Sequence, residues 1–150
     1  MPRLTFASPL GRLTLFETEG ALTALMWGGK PSGRPTPLLA EAKRQLAAYF
    51  AGRRHDFDLP LAPEGSEMER RVWALMATIP YGETRSYGEL ARDLALSPRS
   101  IGQACGRNPL PIFLPCHRVV AANGELGGYS GEGGIETKRK LLQLEHALLI

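Results

Sequence analysis

The chain has 150 residues, 43% apolar and 22% charged, with a formal net charge of +3. That balance fits a soluble globular protein of one ordinary domain or two small ones, and no run approaches the roughly 20 apolar residues of a membrane helix. The start, Met1-Pro2-Arg3-Leu4-Thr5-Phe6, lacks the apolar core of a signal peptide, so a cytoplasmic, nucleoid-associated protein is expected; a monomer with no membrane partner is a separate expectation.

In chain order, Leu4 to Ser8, Arg12 to Thr18 and Ala21 to Trp27 are short apolar runs punctuated by Pro9-Leu10-Gly11 and Glu19-Gly20, the pattern of a β-meander. Gly28 to Pro35 reads as a loop. Thr36-Pro37 supplies an N-cap followed by proline at the first helical position, and a helix is predicted to about Ala51, with Leu39, Leu46 and Phe50 inward and Gly52 behind it. Residues 53 to 65 form an irregular link that separates an N-terminal α/β scaffold, 1–65, from a C-terminal part, 66–150.

The second part opens on a capping box, Ser66-x-x-Glu69, followed by Met68, Val72, Leu75, Met76 and Ile79 at helical spacing and a stop at Pro80-Tyr81-Gly82. A second box, Ser86-x-x-Glu89, starts a helix with Leu90, Ala91 and Leu94 on its apolar face. Ser97-Pro98 starts a third, with Ile101, Ala104 and Cys105 on one side and Arg99, Gln103 and Arg107 elsewhere. Asn108-Pro109 ends it. Two short helices joined by a tight turn form either a helix-turn-helix or an ordinary helical hairpin. Gly102, Ala104 and Gly106 would let the second helix approach a groove closely. No Asp or Glu falls between Asp93 and Glu125, whereas Arg99, Arg107 and Arg118 do, and such a stretch suits a polyanion.

Chemistry concentrates at Pro115-Cys116-His117-Arg118-Val119-Val120. A thiol, an imidazole and a guanidinium interrupt an apolar run that normally excludes them. Cys116 is the natural nucleophile, if its proton can be taken; the alternative is a buried structural cysteine. His117 is the nearest base, but neighbours on an extended chain point to opposite sides, so the two need a turn or a bridging water. A C-terminal helix is predicted over 135–149. Glu145 falls on its apolar stripe with Leu141, Leu142, Leu148 and Leu149, and it either reaches solvent at the edge or pairs with His117. Placement thus suggests a Glu145–His117–(water)–Cys116 relay. The glycine-rich loop from Gly124 to Gly134 brings backbone close to a ligand or acts as a connector. With two lone cysteines, Cys105 and Cys116, and His55, His117 and His146 far apart, neither a disulfide framework nor a zinc site is expected, and no cofactor is implied.

With Asn108-Pro109, Pro115-Cys116-His117-Arg118-Val119-Val120, Gly128-Tyr129-Ser130-Gly131 and Leu141-Leu142-Gln143-Leu144-Glu145 in this order, the sequence resembles the O6-alkylguanine-DNA alkyltransferases, firmly over about residues 66 to 146. The resemblance implies an α/β (α+β) fold: a small ribonuclease-H-like α/β domain followed by a helical domain with the helix-turn-helix and the reactive cysteine. It implies double-stranded DNA containing O6-alkylguanine as the partner, base flipping, and irreversible, stoichiometric transfer of the alkyl group to Cys116. By the same resemblance His117 is the water-mediated base, Glu145 orients it, and Asn108 braces the turn. Tyr87, Val119, Tyr129 and Ser130 meet the substrate. Arg99 enters the base stack, and Ser100, Gly102, Gln103, Ala104, Arg107 and Arg118 bind DNA. The stretch from Tyr87 to Arg99 is shorter, and the loop over 131–134 longer, than in some relatives. Competing readings are a lesion-binding module that performs no transfer, a helix-turn-helix regulator and a cysteine hydrolase.

Overall fold

The computed structural model describes residues 2–31, 34–126 and 134–147. The chain divides into two compact units, Met1–Glu64 and Gly65–Ile150.

In the first unit β1 (Arg3–Ser8), β2 (Gly11–Thr18) and β3 (Ala21–Trp27) form an antiparallel meander in the order β1-β2-β3. The connection Glu19-Gly20 has positive φ at both residues (50° and 80°), the two-residue turn that matches the twist of a hairpin. Helix α1 (Pro37–Phe50) is capped by Thr36, whose hydroxyl accepts the Leu39 amide. Leu39 and Leu46 are buried as expected. Phe50 is only half-buried, and Tyr49 takes the core position beside it. Gln45 is also buried. It donates to the Asp58 carbonyl and accepts the Asp58 amide, which ties the link to the helix.

The second unit is mostly helical: α2 (Glu67–Met76), α3 (Tyr87–Leu94), α4 (Pro98–Gly106) and α5 (Ile135–Leu144). Both capping boxes form, with Ser66 and Glu69, and Ser86 and Glu89, exchanging side-chain and backbone bonds. Replacing either serine with alanine is expected to cost about 1 kcal/mol of stability, read as a lower urea midpoint at unchanged slope.

Helix α2 ends at Met76 and does not run on to Ile79. The amides of Thr78 and Ile79 turn back to Leu75 and Met76 as tighter three-residue bonds, because Pro80 pushes the residue before it out of helical geometry. Ile79 stays buried in the turn. Helix α5 is likewise shorter than predicted. Glu145 is its C-cap, His146 is left-handed (φ 61°), the His146 amide returns to Gln143 and the Ala147 amide to Leu142. This is a Schellman closure, and it stops the helix without a glycine. Residues 148–150 lie outside those described.

A two-stranded parallel pair escaped the sequence reading: β4 (Arg85–Ser86) and β5 (Val119–Val120), with Arg85 opposite Val119 and Ser86 opposite Val120. It places the start of α3 beside the segment that follows Cys116. The core of this unit includes Val72, Trp73, Met76, Leu90, Ile101, Ala104, Leu141 and Leu142. Trp73 donates its indole N–H to the Ala104 carbonyl at 2.8 Å, locking α2 to α4.

Candidate active site

Residues 111 to 120 are all buried. Within them Cys116–Arg118 form a single 3₁₀ turn, not the extended strand that an alternating arrangement would need. The Cys116 amide donates to the Leu114 carbonyl at 2.8 Å and the Arg118 amide to the Pro115 carbonyl at 2.9 Å. In such a turn successive side chains fan out instead of pointing to opposite faces. Thiol, imidazole and guanidinium therefore leave one tight loop in different directions, all inside the protein.

Asn108 holds this turn from behind. Its Nδ2 donates to the Leu114 carbonyl at 2.8 Å, and its Oδ1 accepts the Leu110 amide at 2.9 Å. The Leu114 carbonyl thus receives both Asn108 and the Cys116 amide, so a single oxygen couples the end of α4 to Cys116.

Glu145 comes from the end of α5 and is fully buried. Its Oε2 lies 2.7 Å from His117 Nε2. Arg118 takes both carboxylate oxygens, Nε to Oε1 at 2.8 Å and Nη2 to Oε2 at 2.9 Å, and its Nη1 donates to the Ile79 carbonyl at 2.7 Å. Burial alone would raise the Glu145 carboxyl, but the bonds from His117 and Arg118 overcome it and hold the group at about 2. Glu145 is therefore a carboxylate at any ordinary pH. Burial lowers the proton affinity of His117, the bond to Glu145 works against that, and the nearby Arg118 and Lys138 charges lower it further. A neutral imidazole bonded to a carboxylate must donate, so the proton sits on Nε2. Nδ1 is then the acceptor, and among the described residues it has no hydrogen-bond partner.

Lys138 was missed at the sequence level. It is fully buried on α5, donates from Nζ to the Val119 carbonyl at 2.6 Å and lies 3.4 Å from the Tyr87 hydroxyl. Burial lowers its proton affinity, while Cys116 and Cys105 act in the opposite sense. A signal was present: Lys138, Leu141, Leu142 and Glu145 follow the i, i+3, i+4, i+7 spacing of one helix face. Tyr87 is half-buried at the first turn of α3, its hydroxyl pushed up to about 12 by burial and by the two cysteines. Val119, expected at the substrate, is wholly enclosed in this structure, and its carbonyl accepts from Lys138.

The second cysteine has a different setting. Cys105 lies with its Sγ 3.6 Å from Met76 Sδ, and burial, then Cys116, push its thiol up to about 12. It is a protonated core residue.

Two residues expected at a DNA surface are inside the protein. The guanidinium of Arg118 turns inward to Glu145 and the Ile79 carbonyl and is nearly fully buried, away from any DNA surface. Ala104 has no exposed surface, because α4 buries that side against Trp73. By contrast Arg99, Gln103 and Arg107 are exposed, Ser100 and Gly102 are half-buried, and a methyl group added at Gly102 or Gly106 would meet open space. Arg107 makes a 3.4 Å ion pair with Glu69 while remaining mostly exposed. Tyr129, Ser130 and the loop over 131–133 lie outside the described residues.

Two family models match the chain: the DNA binding domain of 6-O-methylguanine DNA methyltransferase over residues 67–147, and the ribonuclease-like domain of the same protein over residues 3–63. A methylated-DNA–protein-cysteine methyltransferase of Methanosarcina acetivorans is 44% identical, covering 93% of this chain and 95% of its own. The constitutive methylated-DNA–protein-cysteine methyltransferase of Bacillus subtilis is 43% identical, with coverage of 94% and 93%. The crystal structure of Mycobacterium tuberculosis OGT in complex with DNA superposes with a TM-score of 0.88 at 43% identity, covering 98% of this chain and 94% of that one.

Proposed function

This chain belongs to the 6-O-methylguanine DNA methyltransferase family, and we propose that Cys116 is the residue onto which it moves an alkyl group from DNA. The activity is repair of DNA by transfer of the alkyl group to a cysteine of the protein itself. The observation that carries the choice of cysteine is the relay beside it. Cys116 is joined in one turn to an imidazole whose Nε2 is fixed on Glu145 and whose Nδ1 has no hydrogen-bond partner among the described residues. Among the described residues no such relay serves Cys105, and burial holds its thiol protonated.

The reaction runs as a displacement. His117 Nδ1 takes the thiol proton through a water, and the thiolate attacks the alkyl carbon. The S–C bond forms as the C–O6 bond breaks, its electron pair stays on O6, and the ring takes a proton at N1 to become guanine. The thioether is stable, so each molecule acts once. To reach the carbon the protein must swing the nucleotide out of the stack, which is easiest for a base whose pairing the lesion already weakens. The exposed side of α4, with Arg99, Gln103 and Arg107 beside Gly102, enters the groove, and Arg99 fills the vacated space. Tyr87, Tyr129 and Ser130 contact the flipped base, with Ser130 bonding O6. The protein acts as a monomer on DNA in the cytoplasm, at the nucleoid.

Incubation with O6-benzylguanine, or with duplex DNA carrying O6-methylguanine, is expected to add one alkyl mass, located on Cys116 by peptide mapping. Cys105→Ser should retain the gain and Cys116→Ser should abolish it; sustained turnover, or label on another residue, would sink the assignment. For Arg99→Ala, transfer from duplex DNA is expected to fall about tenfold or more, since extrusion costs a few kcal/mol. Transfer from the free base, which needs no extrusion, should fall far less. Equal losses on both substrates would show that Arg99 does not serve flipping.

A further inference from the structure

Arg118 leaves the DNA surface in this structure and joins the relay. One carboxylate, Glu145, faces two basic groups, and Arg118 holds it by both oxygens while His117 shares only Oε2. Glu145 and His117 are fully enclosed and Arg118 nearly so. A guanidinium is never neutral at working pH, so the single negative charge is already matched before the imidazole takes a proton. With the Cys116 thiol intact, a proton on His117 would be an unmatched positive charge in a buried site, which is disfavoured; a proton passed from Cys116 leaves the thiolate to match it.

We propose that Arg118 is a positioning residue for alkyl transfer: by binding Glu145 through both oxygens, it keeps His117 a neutral imidazole with Nδ1 available to the Cys116 proton. This rests on the reading of Cys116 as the alkyl acceptor. Without Arg118, Glu145 would draw a proton onto His117 and form a settled ion pair. Both ring nitrogens would then be donors, and neither could accept from the thiol. The arginine is itself well anchored. Its third contact is the Ile79 carbonyl, and the Tyr81 ring lies 5.9 Å from its guanidinium carbon. The Tyr81 hydroxyl in turn donates to the Leu144 carbonyl, next to Glu145.

The other charged groups around the ring do not replace it. Lys138 on α5 also acts on His117 but is turned to the Val119 carbonyl, to Tyr87 and to the two thiols. None of the ionisable side chains of α2 (Glu67, Glu69, Arg70 and Arg71) is among the groups acting on the ring. Among the described residues, Arg118 binds both oxygens of the carboxylate that His117 uses.

The test is the single-turnover rate of benzyl transfer from O6-benzylguanine against pH, in the full chain. For Arg118→Gln the acid limb is expected to move upward by about 1–3 pH units, the range set by removing a neighbouring charge. Arg118→Lys, which keeps the charge, should leave the limb near its original place even if the plateau falls. A uniform drop in both variants with no shift of the limb would mean that Arg118 only supports the fold, and would overturn the proposal. If Arg118→Gln does not fold, the Arg118→Lys profile and nitrogen NMR of the unaltered protein carry the test. A neutral His117 ring with its proton on Nε2 at neutral pH is expected; a doubly protonated ring overturns the proposal. Absence of any mass gain on Cys116 in the unaltered protein is a separate result, which would remove the alkyl-acceptor reading itself.

Discussion

Glu145→Ala should cost about 3–5 kcal/mol of folding stability, the penalty for breaking a buried ion pair from one side. The magnitude follows from what is left behind. Among the described residues, Arg118 would remain enclosed with the Ile79 carbonyl as its one hydrogen-bond acceptor, and His117 would lose the partner of Nε2. Urea denaturation at neutral pH measures the loss. If the cause is the stranded cation, adding Arg118→Met should restore much of the stability without restoring transfer. A double variant as unstable as the sum of the two singles would refute that cause.

The same site sets a pH dependence. Glu145 is held at about 2 against an ordinary 4.5. Its contribution is fully present above the ordinary value and is lost as pH falls through the interval down to about 2. His117 is lowered from 6.5, so in the unfolded chain it takes up a proton that the buried ring resists. Stability therefore starts to decline as pH drops below about 6.5 and declines further in the carboxylate range. Glu145→Ala should flatten the lower part of that curve. A stability profile with no fall below neutral pH would contradict the burial of an uncharged imidazole.

Much of this was readable from residues. Thr36-Pro37, Ser66-x-x-Glu69 and Ser86-x-x-Glu89 mark helix starts through local bonds that need no tertiary partner, and all three caps form. Helix ends were harder to read. The stop at Met76 and the Schellman closure after Leu144 depend on how the chain leaves the helix, and the stop after Leu144 comes at a residue, His146, that rarely adopts positive φ. The pairing of β4 with β5 joins two dipeptides far apart in sequence, too short for any periodicity. The line joining Glu145 to His117 could be drawn from the apolar stripe of α5, because a carboxylate there needs a partner. That Arg118 would join them could not. An arginine beside a cysteine reads as an exposed anion-binding group until a 3₁₀ turn is known to aim it inward. Lys138 lies on the same stripe as Glu145, and a buried ammonium there needs a partner just as a buried carboxylate does.

Asn108→Ala is expected to remove about 2–6 kcal/mol, because two buried backbone groups lose their partners at about 1–3 kcal/mol each. These are the Leu110 amide and one acceptor site of the Leu114 carbonyl. The effect on transfer should be large as well. Leu114 also receives the Cys116 amide, so the carbonyl that Asn108 steadies is the one that sets the turn bearing the nucleophile. Between them lies Ile112 at a φ of 75°, a left-handed conformation that a β-branched residue adopts only where its surroundings enforce it. Removing Asn108 would take away one of those restraints and let the segment relax, carrying Cys116 off its line with His117. Asn108→Asp separates the two roles. It keeps the acceptor for Leu110 but turns the donor into a second acceptor facing the Leu114 carbonyl. If the bond to Leu114 positions the thiol, Asn108→Asp should lose transfer as fully as Asn108→Ala when measured on folded protein. Near-normal single-turnover rates in folded Asn108→Asp would show that the Leu110 bond alone keeps Cys116 in place.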